Sequence, residues 1–193
     1  IGGAPISYSL ILEIQKRLLP DVFHTYGMTE TVSHIALKNV KLDEVYTALD
    51  GVKISLTEGK CLVVDSILTN NVRLVTNDLV ELVGGNQFKW LGRSDFVINT
   101  GGFKIHPSLL ELEIQKLLSE ENIELGNFFI IGVPDEKLGE KVLMCIEGNK
   151  VDLSNVMSRL NPYDRPKEIF FVDRFEYTKT EKVSKRDTIE RLL

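Results

Sequence analysis

A chain of 193 residues with 43% hydrophobic and 26% charged residues has room for one large or two small domains and the balance of an ordinary globular protein. Its net charge of −5 argues against a nucleic-acid footprint, which needs a clustered basic surface, and no run approaches the roughly 20 apolar residues that span a bilayer or reads as an export signal. Cys61 and Cys145 stand far apart without Cys-x-x-Cys spacing, so free thiols in a reducing, cytoplasmic compartment are expected in place of a disulfide or zinc site.

The chain begins at Ile1, and Gly2-Gly3-Ala4-Pro5 reads as a loop leaving a strand that is not present, so a piece of a longer protein is expected. Over residues 7–19 the apolar positions Leu10, Ile11, Ile14 and Leu18 predict an amphipathic helix, capped by Ser7 and ended by Pro20. Val22-Phe23-His24 is a short strand leading into Thr25-Tyr26-Gly27-Met28-Thr29-Glu30-Thr31 and then Val32-Ser33-His34-Ile35. Four β-type runs at 52–56, 61–64, 72–75 and 79–82, separated by Asp-Gly, Glu-Gly and Asn-Asn, predict a small antiparallel subdomain, with Thr76-Asn77-Asp78 as a turn between the last two. A strand at 88–91 follows.

Phe96-Val97-Ile98 and Phe103-Lys104-Ile105 flank Asn99-Thr100-Gly101-Gly102, the pattern of a hairpin. Residues 107–119 form a helix with Pro107 near its start and apolar positions Leu109, Leu110, Ile114, Leu117 and Leu118. Buried strands are predicted at 128–133 and 141–146, a short helix at 153–160, a third strand at 169–172, and a basic tail from Lys179 to Arg186. Taken singly, the polar residues read plainly. Arg93 and Asp95 are a surface ion pair worth at most about 1 kcal/mol. Asp78 is a turn aspartate, Lys179, Lys182 and Lys185 a solvated loop, and His34 more often a satisfied interior side chain than a ligand. His24, His34 and His106 show no ligand spacing, and no Gly-x-Ser-x-Gly elbow marks a hydrolase.

Taken together, the strings Tyr26-Gly27-Met28-Thr29-Glu30, Thr76-Asn77-Asp78, Gly92-Arg93-Ser94-Asp95, Gly132-Val133-Pro134-Asp135-Glu136 with Gly139-Glu140, and Thr178 to Lys185 say more. They resemble the motifs of the adenylate-forming superfamily, the acyl- and aryl-CoA ligases, adenylation domains and luciferases. Thr29-Glu30-Thr31-Val32-Ser33-His34-Ile35 is most similar to the o-succinylbenzoate-CoA ligases of menaquinone synthesis. The resemblance implies an α/β and α+β fold: residues 1–94 as an incomplete C-terminal portion of the large ATP- and acid-binding domain, with short strands, a helix and a small β subdomain, and residues 95–193 as the small α+β lid domain, with the hinge at Asp95.

It further implies an ATP-dependent, AMP-forming ligase that makes an acyl-adenylate and then a CoA thioester. Its partners are a small carboxylic acid, ATP with Mg²⁺, and CoA; neither nucleic acid nor membrane is among them, and a homo-oligomer is left open. By resemblance, Gly3, Ala4, Pro5, Thr25, Tyr26 and Gly27 line the adenine side, and Asp78 and Arg93 meet the ribose. Thr29, Glu30 and Lys182 are catalytic, Glu30 holding the metal. Ser33 and His34 face the acid, with His34 donating to a second carboxylate, and Gly101 and Gly102 line the path of CoA. The chain departs from the pattern at Asn77, Leu109 and Glu181, where Gly, Glu and Gly are usual, and no proline precedes Thr178; Glu111 is kept. The Ser/Thr/Gly-rich loop that grips the outer phosphates is missing, so the chain alone is expected to be nearly inactive. The competing readings are a ligase for another acid and a non-catalytic nucleotide-binding or carrier-docking module.

Overall fold

The computed structural model describes residues 1–3, 6, 8–17, 21–179 and 182–192. Ala4, Pro5, the Ser7 cap, the Pro20 stop, Thr180 and Glu181 lie outside the described residues. The chain divides into two compact units, Ile1–Asp95 and Phe96–Leu193.

The first unit opens with α1 (Tyr8–Lys16), where Ile14 is buried as the pattern demands while Leu10 is 40% exposed. Then come β1 (Phe23–Gly27), a 3-10 turn (Thr29–Thr31), β2 (His34–Asn39), β3 (Tyr46–Ala48), β4 (Lys53–Leu56), β5 (Cys61–Asp65), a second 3-10 turn (Ile67–Thr69), β6 (Leu74–Gly84) and β7 (Gln87–Arg93). The strands pair antiparallel in the order β1-β2-β3-β7-β6-β5-β4. Ile35, Leu62, Val64, Val80 and Phe88 form the core of its inner face, with Tyr26 and Trp90 packed against it.

The second half of the predicted run 72–75 and the whole of the run 79–82, read as separate strands, join in β6, which starts at Leu74. Thr76-Asn77-Asp78 is therefore not a turn, and Asn77 is not among the residues with positive φ. Pairing explains the difference: β6 lies between β5 and β7 and absorbs its irregularity as a register shift at Leu79/Val80, the usual way a strand re-aims a side chain without ending. The turn residues are instead Asn70 and Asn71, both left-handed at φ 53° and 57°.

The second unit begins at Phe96, the last residue of a 3-10 turn (Ser94–Phe96), and contains β8 (Ile98–Thr100), β9 (Phe103–Ile105), α2 (Pro107–Glu120), β10 (Phe128–Asp135), β11 (Gly139–Glu147), α3 (Ser154–Arg159), β12 (Glu168–Val172) and α4 (Lys185–Glu190). The sheet order is β10-β11-β8-β9, with β12 parallel to β11. Strand periodicity makes β11 two-faced. Val142, Met144 and Ile146 join Leu110, Ile114 and Leu118 of α2 and Val156 of α3. Leu143 and Cys145 meet Phe129, Phe175 and Ile189 on the other side.

The hairpin is tighter than expected, because Gly101 and Gly102 alone form its loop at φ 56° and 85° while Asn99 and Thr100 belong to β8. Phe96 falls in the 3-10 turn. Among the described residues, no helix is long and apolar enough to cross a membrane.

Candidate functional site

In the first unit the segment from Thr25 to His34 builds an open pocket of about 280 Å³ lined by Gly3, Thr25, Gly27, Met28, Thr29, Val32, Ser33 and His34. Ile1 runs beside β1, with the Thr25 amide donating to its carbonyl (2.8 Å), which brings Gly3 to the rim. Gly27 sits at a bulge opposite His34. A Cβ there would lie 2.5 Å from the Ser33 oxygen and 2.7 Å from the His34 Cα, so only glycine lets β1 and β2 close around the loop.

The 3-10 turn then sorts its side chains. Thr31 is fully buried: its hydroxyl accepts from the Met28 amide (3.0 Å) and lies within donating distance of the carbonyls of Met28 (2.9 Å) and Ser33 (2.7 Å). Thr29 and Glu30 are left exposed. His34 is exposed too, its Nδ1 3.2 Å from the Ser33 hydroxyl. The interior histidine is His24, 7% exposed with Nδ1 2.6 Å from the Tyr46 hydroxyl. Strand alternation turns His24 inward, since His24 and Tyr26 share one face of β1 and Thr25 and Gly27 the other.

Tyr26 consequently does not line the pocket. Its hydroxyl donates to Asp78 Oδ2 (2.5 Å), and the Trp90 indole N–H donates to Oδ1 (3.1 Å). The Asp78 amide donates to Thr76 Oγ1 (3.1 Å), whose own hydroxyl donates to the Leu62 carbonyl (2.9 Å). Burial first, and the Asp78 charge second, hold the Tyr26 phenol far above its ordinary pKa; burial alone pushes Tyr46 up to about 12. Arg93, the cross-strand partner of Asp78, makes two bonds to Asp95 (2.9 and 2.8 Å). That pairing raises the Arg93 pKa and holds the Asp95 carboxyl below its usual range.

In the second unit Lys182 is exposed at the end of a narrow hairpin. The Thr178 amide donates to the Lys182 carbonyl (2.8 Å), the Lys182 amide to Thr178 Oγ1 (3.2 Å), Tyr177 pairs with Val183, and the Ser184 amide donates to Glu176 O (2.8 Å). Carboxylates hold both ends. Glu147 accepts from the Phe175 amide (3.0 Å), which with Asn127 keeps its pKa low. Glu111 accepts from Lys185 Nζ and from the Ile130 amide, both at 2.8 Å. The Gly101–Gly102 loop is fastened to the β10–β11 turn by Gly101 N to Leu138 O (2.9 Å) and by Asn99 N to Glu140 Oε2 (2.6 Å).

Among the described residues no three His, Cys, Asp or Glu gather as a metal cage. Glu30 is a single exposed carboxylate, which fits magnesium, a cation that takes one or two carboxylates and completes its shell from phosphate oxygens and water.

Sequence reasoning missed Trp90, Thr31, Lys185 and Glu147. Only the register of β6 against β7 reveals Trp90, whereas Glu111 was already singled out and an ion partner for it could have been sought in the basic tail.

No protein-family profile matches the chain. A 2-succinylbenzoate–CoA ligase of Enterococcus faecalis is 25% identical over 96% of this chain and 44% of its own length. An indoleacetate–CoA ligase of Aromatoleum aromaticum is 32% identical over 53% of this chain and 21% of its own. Among solved structures, an acyl-CoA synthetase (AMP-forming)/AMP-acid ligase II-like protein of Dyadobacter fermentans is 38% identical over 100% of this chain and 57% of its own, with a TM-score of 0.50. The O-succinylbenzoate coenzyme A synthetase of Bacillus subtilis, in complex with ATP and magnesium ion, aligns at a TM-score of 0.78 and 21% identity over 97% of this chain and 45% of its own. The chain thus spans about half the length, or less, of the relatives it matches. Its fold is that of the C-terminal portion of such enzymes.

Proposed function

We propose, from the chain's likeness to acyl- and aryl-CoA ligases of the adenylate-forming superfamily, that the protein carrying it is an ATP-dependent, AMP-forming acid–CoA ligase. The observation that carries this reading is the pocket between β1 and β2, where one buried threonine turns Thr29 and Glu30 outward beside Gly27 and His34.

In the first half-reaction a carboxylate oxygen of the acid attacks the α-phosphorus of ATP, the bond to the bridging oxygen breaks, and pyrophosphate leaves with its electron pair. The attack joins two anions, so it needs positive charge and hydrogen-bond donors set in advance. The Thr29 hydroxyl donates to the α-phosphate and the Lys182 ammonium neutralises charge there. Glu30 would hold Mg²⁺, which would supply further charge neutralisation at the phosphates. Asp78 accepts from the ribose, Arg93 supports it, and Gly3, Thr25 and Gly27 leave room for a flat base. In the second half-reaction the CoA thiolate attacks the acyl carbon and AMP leaves; Gly101 and Gly102 let pantetheine approach the backbone closely, after a rotation at Asp95.

The acid is proposed to be o-succinylbenzoate, which would place the protein in menaquinone synthesis in the cytoplasm. The support is the match along 96% of the chain to a 2-succinylbenzoate–CoA ligase and the exposed His34 in the lining of the pocket, read here as the donor to a second carboxylate.

A panel of aryl and acyl acids, assayed for pyrophosphate release and thioester formation, tests both levels. o-Succinylbenzoate is expected to give the highest kcat/KM. Lys182→Ala is expected to slow adenylation on the order of 10²-fold or more while transfer from a supplied acyl-adenylate changes little. Another preferred acid would overturn the substrate, and no adenylation with any acid would overturn the ligase.

A further inference from the structure

We propose that Trp90 is a positioning residue for the nucleotide: its indole N–H and the Tyr26 hydroxyl hold the Asp78 carboxylate from both sides, leaving its free edge set to receive the two ribose hydroxyls. This rests on the reading of Asp78 as the ribose acceptor.

Each oxygen of the Asp78 carboxylate has a donor from the protein. Oδ2 takes the Tyr26 hydroxyl at 2.5 Å, Oδ1 takes the Trp90 N–H at 3.1 Å, and the Asp78 amide is tied to Thr76, itself tied to Leu62. With one donor on each oxygen, the Cβ–Cγ bond has no free rotation, because any turn breaks one bond to improve the other. Two of the roughly four acceptor sites of a carboxylate remain, and Asp78 keeps 9% of its surface exposed. A diol needs two acceptors at a fixed spacing and direction, which this clamp supplies before the ligand arrives. The donors come from separate strands: Tyr26 from β1, at one edge of the sheet, and Trp90 from β7, beside β6. Both rings are seated on the core around Phe88, so the clamp inherits the rigidity of the sheet.

The test uses the protein that carries this chain. Calorimetric titration with ATP and with 2′-deoxy-ATP is compared for the wild type and Trp90→Phe. The wild type is expected to prefer ATP. In Trp90→Phe the affinity for ATP is expected to fall roughly 10-fold or more, in keeping with the loss of one hydrogen bond to a charged group, and that for 2′-deoxy-ATP to change by no more than about 2-fold. Trp90 emission, read with any tryptophan outside residues 1–193 replaced by Phe, gives a second reading that survives a poorly folding variant. Saturating ATP should change the wild-type emission, and in Asp78→Asn this change should be absent at nucleotide concentrations that still saturate. Preserved ribose discrimination in a folded Trp90→Phe, or an emission unmoved by bound ATP, would overturn the role of Trp90 and leave the nucleotide site standing. Absence of ATP binding to the wild type would overturn both.

Discussion

Thr31 and Val32 show how much a single hydroxyl carries. Val32 is 83% exposed at φ 60°, a conformation that β-branched residues avoid at a cost of about 1–3 kcal/mol. It persists because the Thr31 hydroxyl ties Met28, before the turn, to Ser33 after it. Thr31→Val keeps the volume and removes the oxygen, leaving a backbone donor and an acceptor without their partner, so a loss of about 1–3 kcal/mol is expected in urea unfolding, with Thr31→Ser recovering most of it. In the sequence, Thr29 and Thr31 are the same letter two places apart. The motif was legible as chemistry, but the division into one outward and one inward threonine was not, because a 3-10 turn decides it. The same limit applies to histidine: apolar neighbours alone would put His34 in the interior, whereas it is exposed and His24 is the buried one.

At the scale of elements, long apolar runs were readable and short mixed ones were not. β10, β11 and α2 appear where their patterns put them, since each buries several large side chains on a regular period. α4 went unread because Lys-Arg-Asp-Thr-Ile-Glu offers one large apolar residue, Ile189, and draws its stability from docking. Part of that docking is polar. Lys185 reaches Glu111 at 2.8 Å with its side chain 30% exposed, and lies 5.5 Å from the Phe129 ring centre. Breaking such a half-buried pair leaves Glu111, among the described residues, with the Ile130 amide, so Lys185→Met is expected to destabilise the second unit by about 1–3 kcal/mol. Hydrogen exchange should locate the effect, accelerating amides at 184–192 while those of α2 stay protected. Lys185→Arg should retain much of the protection. Equal acceleration along α2 and α4 would mean that the pair holds the whole unit, not the tail.

For the whole molecule, what matters is that each unit owns a core. Ile35, Leu62 and Phe88 close one, and Ile114, Val142 and Met144 another, with the division at Asp95, inside the 3-10 turn Ser94–Phe96. The Arg93–Asp95 pair at that place is 42% and 44% exposed, which keeps its contribution at about 1 kcal/mol or less. Because Arg93 holds the Asp95 carboxyl below its ordinary range, the pair is complete from neutral pH down to the usual carboxylate pKa and is lost only as the pH falls below that. A turn so weakly held suits a junction. Separate cores predict separate cooperative unfolding, and Ile114, fully buried, is the probe. Ile114→Ala should cost about 2–5 kcal/mol and shift only the transition reported by Phe96–Leu193, leaving the midpoint reported by Trp90 in place. One concerted transition, moved as a whole by Ile114→Ala, would mean that the units are thermodynamically one body, and the proposed rotation at Asp95 would then have to break interactions far stronger than an exposed ion pair.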